Sequence, residues 1–365
     1  VSPPQARRLA VGAVLGLGLL ALFLHGLDFK GLRAAFGAAD ARYLAGIVLA
    51  TVAGYLARAW RWARLLSPVA RAPYGRLISA TLIGFMTGLI IPRAGEVVRP
   101  YLIARRHAVP TAAAFASIIV ERLLDLITVL FLFGLYLYVL PAPAAQVPGP
   151  LLGRLKAGGA VVGALTVVAL AALLALHLRG ERALVLLDAL LRPLPARVAR
   201  GVSQAARSFA GGLAVLHSPP SLFLILAAQS LLVWLPIALG VHWANRAFGL
   251  DLPFHAAFLI LGFLTVGVAV PTPGMVGGFH ESYLLALTQA FGVDRETAAA
   301  AGIASHAFTN IPVLVLGLLC LWREGLTLGG VARISAGDAG ATDADGGRAP
   351  ASPPGASRAE ARLPS

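Results

Sequence analysis

Apolar residues in this chain fall in long unbroken runs rather than in one-sided stripes. Six of them, roughly 9–26, 43–63, 112–140, 157–178, 221–247 and 297–322, approach the about 20 residues a helix needs to cross a hydrocarbon core. Each is apolar around most of its circumference, as a lipid-embedded helix must be. Two further runs are shorter and end abruptly. Leu77 to Ile91 meets Pro92-Arg93-Ala94-Gly95, and Phe254 to Val270 meets Pro271-Thr272-Pro273-Gly274. Proline removes a backbone donor and glycine permits a sharp reversal, so both helices are expected to break there. Each is followed by a short second helical segment, about 96–106 and 279–291. The pattern predicts an all-α polytopic membrane protein with about six full spans and two broken or re-entrant helix pairs.

The two breaks resemble each other. Gly84-Phe85-Met86-Thr87 followed by Pro92-x-x-Gly95 parallels Gly262-Phe263-Leu264-Thr265 followed by Pro271-x-x-Gly274. Interrupted hydrophobic segments at matching places in two halves point to an inverted pseudo-repeat with a binding site between the breaks.

Composition agrees with a membrane chain. Of 365 residues, 58% are hydrophobic and 13% charged, against about a quarter charged in soluble domains. The 30 Lys and Arg outnumber the 16 Asp and Glu, and their distribution tests the arrangement. With a cytoplasmic N-terminus and each broken pair returning to its side of entry, the inner face collects Arg58, Arg61, Arg64, Arg71, Arg76, Arg93, Arg99, Arg105 and Arg106. It also takes the arginines of 179–207 and the tail. The outer face keeps few, as the positive-inside rule requires. The basic excess suits anionic headgroups or an anionic substrate. Nucleic acid is not expected as a partner, because the aromatic-interleaved basic face of a strand binder is missing. Residues 181–217 are expected to form an interfacial amphipathic helix broken at Pro193 and Pro195. Residues 1–325 form the transmembrane domain, and the Ala/Gly/Asp/Pro/Ser-rich 326–365 is expected to be a disordered cytoplasmic tail.

Candidate chemistry gathers at the breaks and in one span. Glu121, Arg122 and Asp125 stand inside 112–140, where each charge costs about 2.5–3.5 kcal/mol at the centre of an isolated helix. Arg122 reaches Asp125 locally, and the trio's net negative charge invites a further cation such as Arg93 or Arg99. The trio is either an ion-pair network pinning helices or a polar cavity wall with Arg122 ready for a phosphate. A helix starting near Glu96 offers free amides and a positive dipole end to an anion, and Arg93, Gly95 and Arg99 flank it. At the second break, Pro273, Gly274 and Gly278 allow close backbone approach, with His280 and Glu281 at the next helix start. His306 and Asn310 share a face of the last run, either bonding across helices or touching substrate. Tyr55, Arg58, Trp60, Arg61 and Trp62 have the composition of an interfacial anchor, implying orientation rather than chemistry.

Phosphate-loop, zinc-protease, paired-cysteine and serine-hydrolase signatures are absent, and a lone Cys320 forms neither an intrachain disulfide nor a thiolate metal site. No cofactor or metal is expected.

Taken together, Gly54-Tyr55-Leu56-Ala57-Arg58-Ala59-Trp60-Arg61-Trp62, Pro92-Arg93-Ala94-Gly95-Glu96 with Arg99, Glu121-Arg122 with Asp125, and Pro271-Thr272-Pro273-Gly274 with Gly277, Gly278 and Glu281 resemble the membrane region of bacterial lysylphosphatidylglycerol synthases, a flippase-like group. That resemblance implies a multi-pass domain of the bacterial inner membrane, and the charge distribution leads to the expectation that both termini are cytoplasmic. The domain would move a phospholipid or polyprenyl-linked sugar between leaflets. The synthases' soluble aminoacyl-transferase domain is not expected here, nor is their synthase activity. His306 departs from an arginine expected near this position in many relatives. The alternatives are a membrane transferase using Glu96, Glu121 or Asp125 as acid or base, and a structural subunit.

Overall fold

The computed structural model describes residues 3–68, 70–107, 109–140, 149–179, 181–191, 200, 203 and 220–336. Every regular element among them is helical. The chain runs through α1 (Pro3–Leu24), α2 (Phe29–Gly37), α3 (Ala41–Leu66), α4 (Tyr74–Ile90), α5 (Gly95–Arg106), α6 (Thr111–Tyr138), α7 (Gly149–Arg179) and α8 (Glu181–Leu190). It continues through α9 (Pro220–Ala247), α10 (Ala256–Gly267), a 3-10 turn at Pro273–Met275, α11 (Gly278–Leu285), α12 (Arg295–Arg323) and α13 (Leu328–Ala336).

All six long apolar runs lie within helices, but they are not equivalent. Among the described residues, α3, the Leu224–Ala247 part of α9, and α12 are long and apolar enough to cross a membrane. A fourth crossing is formed if Val14–Leu24 and Phe29–Gly37, bent by 84°, act as one broken span. The bend follows from the local sequence. Gly26 takes φ +76°, which a side chain disfavours, and Asp28 caps the new helix by accepting from the Lys30 and Gly31 amides. At 28 residues α6 has the length of a span, but Glu121, Arg122 and Asp125 interrupt its apolar character.

Two hydrophobic cores are stacked along the long helices. One gathers Phe23 of α1, Phe133 and Tyr136 of α6, Val241 of α9, most of α10, and Tyr283 and Leu284 of α11. The other gathers Trp62 and Leu65 of α3, Ile83 and Met86 of α4, Val98 and Ile103 of α5, Ile118 of α6 and Leu321 of α12. Each core is built around one broken pair, and α6, α9 and α12 contribute to both. On α6 the three charged residues fall between the stretches that serve the two cores, so they lie where apolar packing changes hands.

Close backbone approach holds the helices at their crossings. A Cβ on Gly46 would sit 2.7 Å from the Trp243 ring, while Gly54 faces the Val233 carbonyl, so α3 and α9 run antiparallel in contact. Gly317 of α12 lies against Met86 and the Leu82 carbonyl of α4.

In both broken pairs the same contact recurs. A Cβ on Gly95 would meet the Gly84 carbonyl oxygen at 2.2 Å, and one on Gly278 would meet the Gly267 carbonyl oxygen at 2.4 Å. One turn further into the second arm of each pair, Arg99 Cγ and Ser282 Oγ both lie 2.1 Å from the Cβ position of Gly84 and Gly267 respectively. Gly84 therefore corresponds in its contacts to Gly267. The parallel with Gly262 expected from the Gly-Phe blocks is not the contact register, since Gly262 instead faces the Phe133 ring.

The expected tail is partly corrected. Residues 328–336 form α13, with Val331 and Ile334 buried in the second core; burying this short apolar face offsets the entropy of ordering the helix. Residues 337–365, and most of 192–219 including both prolines of the expected amphipathic segment, lie outside the described residues.

Glu324, just beyond α12, ties three helices together. It accepts from Arg76 at 2.8 Å and from Ser79 at 3.0 Å on α4, and pairs with Arg106 of α5. Burial alone would raise its pKa, but hydrogen bonds from Arg76 and Ser79 and the Arg106 charge hold it below the ordinary 4.5. A depressed folded-state pKa stabilises the fold above the unfolded value and loses that contribution as pH falls through the folded one. Glu324→Gln should therefore be less stable than the parent at pH 7, with the two unfolding midpoints converging as the pH falls below the depressed folded-state pKa. Thermal unfolding in detergent across that range checks it.

Candidate functional site

The two breaks line one cavity. It has a volume of about 450 Å³, and its walls include Gly84, Phe85, Pro92, Arg93, Gly95, Glu96 and Arg99 from the first break, with Tyr55 of α3 and Arg122 of α6. Val268, Val270, Pro271, Thr272 and Met275 come from the second break, and Asn310 comes from α12. That size is ordinary for a small-molecule or headgroup site.

Strained backbone presents part of the lining. Among the described residues, Arg93 (φ 64°) and Met275 (φ 58°) are the non-glycine residues with positive φ. One stands in each break and both line the cavity. Such conformations cost of order 1–3 kcal/mol each and persist only where surrounding structure imposes them. In the second break the imposing contact is visible: His306 shares a 2.7 Å hydrogen bond with the Gly274 carbonyl, and Thr272 donates to the Val276 carbonyl at 2.9 Å.

Behind the first wall lies a buried ion cluster. Glu121, fully buried, accepts from Arg99 at 2.9 and 3.1 Å and from Arg122 at 2.6 Å, with Arg58 at 3.5 Å and Arg61 at 3.9 Å. Asp125 accepts from Arg58 at 2.7 Å, Arg61 at 2.6 Å and Trp234 Nε1 at 3.0 Å. Arg122 also reaches Asp125 at 3.3 Å. Four guanidinium groups thus face two carboxylates. Like charges so close in a low dielectric repel, and part of the repulsion is offset by the Phe85 ring. The guanidinium carbons of Arg58, Arg99 and Arg122 lie 5.1, 5.2 and 5.8 Å from its centroid. Arg99 also lies over Trp62 at 4.5 Å. Trp62 is itself fixed by a hydrogen bond from its Nε1 to Ser117 Oγ.

The Gly84–Gly95 crossing explains how Arg99 enters this cluster. With no side chain on either glycine, α5 lies directly on α4 and the Arg99 stem passes over Gly84 to reach Glu121. Arg122 remains open to the cavity, its side chain retaining 38% exposure, against 0–8% for the other members. Its Nε makes no hydrogen bond to protein. Arg93 and Glu96 are exposed on the cavity turn. The site can therefore hold an anion, presenting cationic donors on one side and neutral groups on the other.

Sequence-predicted residues sort as follows. Arg93, Gly95, Glu96, Arg99 and Arg122 line the cavity, and Glu121 and Asp125 hold the arginines from behind. Pro273 and Gly274 shape the turn beside Met275 without lining it. Gly278, His280 and Glu281 are drawn away. Gly278 packs on Gly267, and His280 is buried beside Phe23, with its ring centroid 4.5 Å from that of His306. Glu281 is half-buried one residue further on. The Gly267–Gly278 crossing turns α11 toward α1, which carries these side chains off the cavity. His306 bonds across to the second break, while Asn310, one turn later, reaches the lining.

Arg58 and Arg61 overturn their expected role as interfacial anchors. Both are buried and bound to Asp125, more than sixty positions away in sequence, and Tyr55 one turn earlier lines the cavity. The signal available in sequence was charge balance, since the α6 carboxylates exceed the single arginine beside them. Among the described residues no group of three His, Cys, Asp or Glu is arranged to hold a metal ion.

Comparison with known proteins agrees with this architecture. The chain is 26% identical over 345 residues to a protein of Haloferax volcanii named glycosyltransferase AglD, covering 87% of this chain and 55% of that protein. It thus spans about half the length of the curated relative it matches. The family model described as the lysylphosphatidylglycerol synthase TM region matches residues 9–317, taking in both breaks and the whole ion cluster. This multi-pass helical membrane protein belongs to the lysylphosphatidylglycerol synthase transmembrane-region family.

Proposed function

We propose that the chain is a lipid flippase, moving a phospholipid or lipid-linked sugar between membrane leaflets. The observation that carries this reading is the shared cavity, with both breaks in its walls and an excess of arginine on one side. The headgroup enters this chamber while the acyl or prenyl chains stay in lipid. Arg122 and Arg93, with Arg99 behind them, hold its phosphate through charge-assisted hydrogen bonds. The two broken pairs form an inverted pseudo-repeat within a bundle of about six spans. The reading is supported by the matching Gly84–Gly95 and Gly267–Gly278 crossings. Rocking one half against the other opens the chamber to alternate sides. Positive residues concentrate on the side assigned to the cytoplasm, which fits both termini inside a cell membrane.

A second reading, a transferase acting on a lipid-linked sugar, draws on the name of the Haloferax relative. It is weakened by the engagement of Glu121 and Asp125 in arginine pairs, which leaves Glu96 as the cavity carboxylate available for acid or base work.

Reconstitution into vesicles with fluorescent phospholipids distinguishes the readings. Bleaching from outside should reveal protein-dependent exchange between leaflets, and Arg122→Met should slow it by about tenfold or more, since a charge-assisted contact is lost. Arg122→Lys, which keeps the charge, should retain part of the rate. A folded protein that moves no lipid, or moves it equally well as Arg122→Met, contradicts the proposal.

A further inference from the structure

The charges around the cavity also bear on what the headgroup carries besides its phosphate, an inference that rests on reading the cavity as a headgroup site. Counting the ion cluster with Arg93 and Glu96 on the cavity turn, five guanidinium groups face three carboxylates, a surplus of two positive charges. Two of the three carboxylates are occupied. Glu121 is taken by Arg99 and Arg122, and Asp125 by Arg58, Arg61 and Trp234. Glu281, the acidic residue of the second break, does not line the cavity. Among the lining residues only Glu96 could meet a cation, and it lies within one turn of Arg93.

The opposite wall carries no charge. It consists of Val268, Val270, Pro271, Thr272 and Met275 with Asn310. Thr272 spends its hydroxyl proton on the Val276 carbonyl, and Asn310 donates its amide to the His306 carbonyl. What remains to a ligand there is acceptor oxygen, the second N–H of Asn310 and apolar surface. Acceptors suit hydroxyl groups, and apolar surface suits the face of a ring or the first carbons of a chain.

We infer that the substrate is a lipid phosphate ester whose remaining headgroup is uncharged and hydroxylated, a polyol or sugar, and that the cavity rejects aminoacylated, cationic headgroups. An ammonium group there meets a surplus of guanidinium, and the one lining carboxylate left to offset it, Glu96, lies within one turn of Arg93. The family's name refers to a lysylated lipid; the charges of this chain select against one.

The test uses the purified full chain in nanodiscs, titrated with short-chain phosphatidylglycerol and short-chain lysylphosphatidylglycerol, with glycerol phosphate as a soluble competitor. Phosphatidylglycerol should bind about tenfold or more tightly than its lysylated form. Arg93→Glu, which removes the surplus, should narrow the gap to within about threefold, and Arg93→Gln should give an intermediate value. Arg93 stands on an exposed turn, and a melting curve taken alongside separates altered selectivity from misfolding. Glycerol phosphate should displace neither lipid at matched concentration. Equal or tighter binding of the lysylated lipid overturns the inference while leaving flipping intact. Displacement by glycerol phosphate alone overturns the lipid assignment in favour of a free phosphate ester. Discrimination that persists in a protein that flips nothing supports the selectivity and sinks the transport reading instead.

Discussion

Glu121→Gln should destabilise the protein by about 3–5 kcal/mol, the usual cost of removing one partner from a buried ion pair. Glu121 is completely buried and meets guanidinium groups from α3, α5 and its own helix. Neutralising it leaves four cations, three of them buried, against Asp125 alone. The sign of the surplus makes the prediction specific. In an evenly paired network, losing a cation or an anion costs about the same. Here Arg58→Met should cost clearly less than Glu121→Gln, because it removes one of the like charges gathered around Phe85. Equilibrium unfolding in mixed detergent micelles reads both values. A cost for Arg58→Met equal to or above that of Glu121→Gln would show that the guanidinium groups do not repel one another as described.

Gly95→Ala and Gly278→Ala should each cost about 3 kcal/mol or more, at or beyond the upper end of ordinary overpacking. In both, the new methyl meets a backbone carbonyl at under 2.5 Å, so no side chain can swing aside and two helices must part. Gly95→Ala should additionally loosen Arg99 from Glu121, because the same crossing guides the Arg99 stem across Gly84. Gly75→Ala makes a control on α4. A Cβ there meets nothing within 4 Å, so helix propensity alone predicts a change of at most about 1 kcal/mol, toward greater stability. Thermal stability of the three variants decides it. Matched losses in Gly95→Ala and Gly278→Ala are also what the pseudo-repeat requires, and indifference of one hairpin argues against their equivalence.

Local features of the chain were legible in sequence, and features created by distant contacts were not. The two Gly/Pro breaks, the six apolar runs as helices and the Glu121-Arg122-Asp125 trio follow from hydropathy and backbone chemistry within a few residues. Arg58 and Arg61 did not, because an arginine beside tryptophan at a helix end has the same local appearance whether it reaches toward lipid headgroups or inward. Only Asp125, on another helix, settles the direction. The same limit misplaced the parallel between the two breaks. Gly262-Phe263 matches Gly84-Phe85 in letters, while the backbone crossing that resembles Gly84–Gly95 uses Gly267. It also misplaced His280 and Glu281, which follow the second break as closely as Glu96 follows the first. The Gly278 crossing turns them toward α1, and nothing in residues 273–281 records which neighbour α11 will meet. Residues 328–336 looked like tail because four of the nine are glycine, serine or arginine, yet Val331 and Ile334 are spaced to share a helix face and are buried.

The central claim, that both breaks wall a single headgroup chamber, is tested most directly by paired cysteine accessibility. In a Cys320→Ala background, Leu89→Cys and Met275→Cys place one thiol on each side of the cavity. Protein in vesicles is treated with a polar maleimide, with and without the transported phosphate lipid. The account predicts that the same lipid protects both positions and that a bulky adduct at either one stops lipid exchange. Protection at one position only, or full exchange with both positions occupied by the adduct, would contradict it.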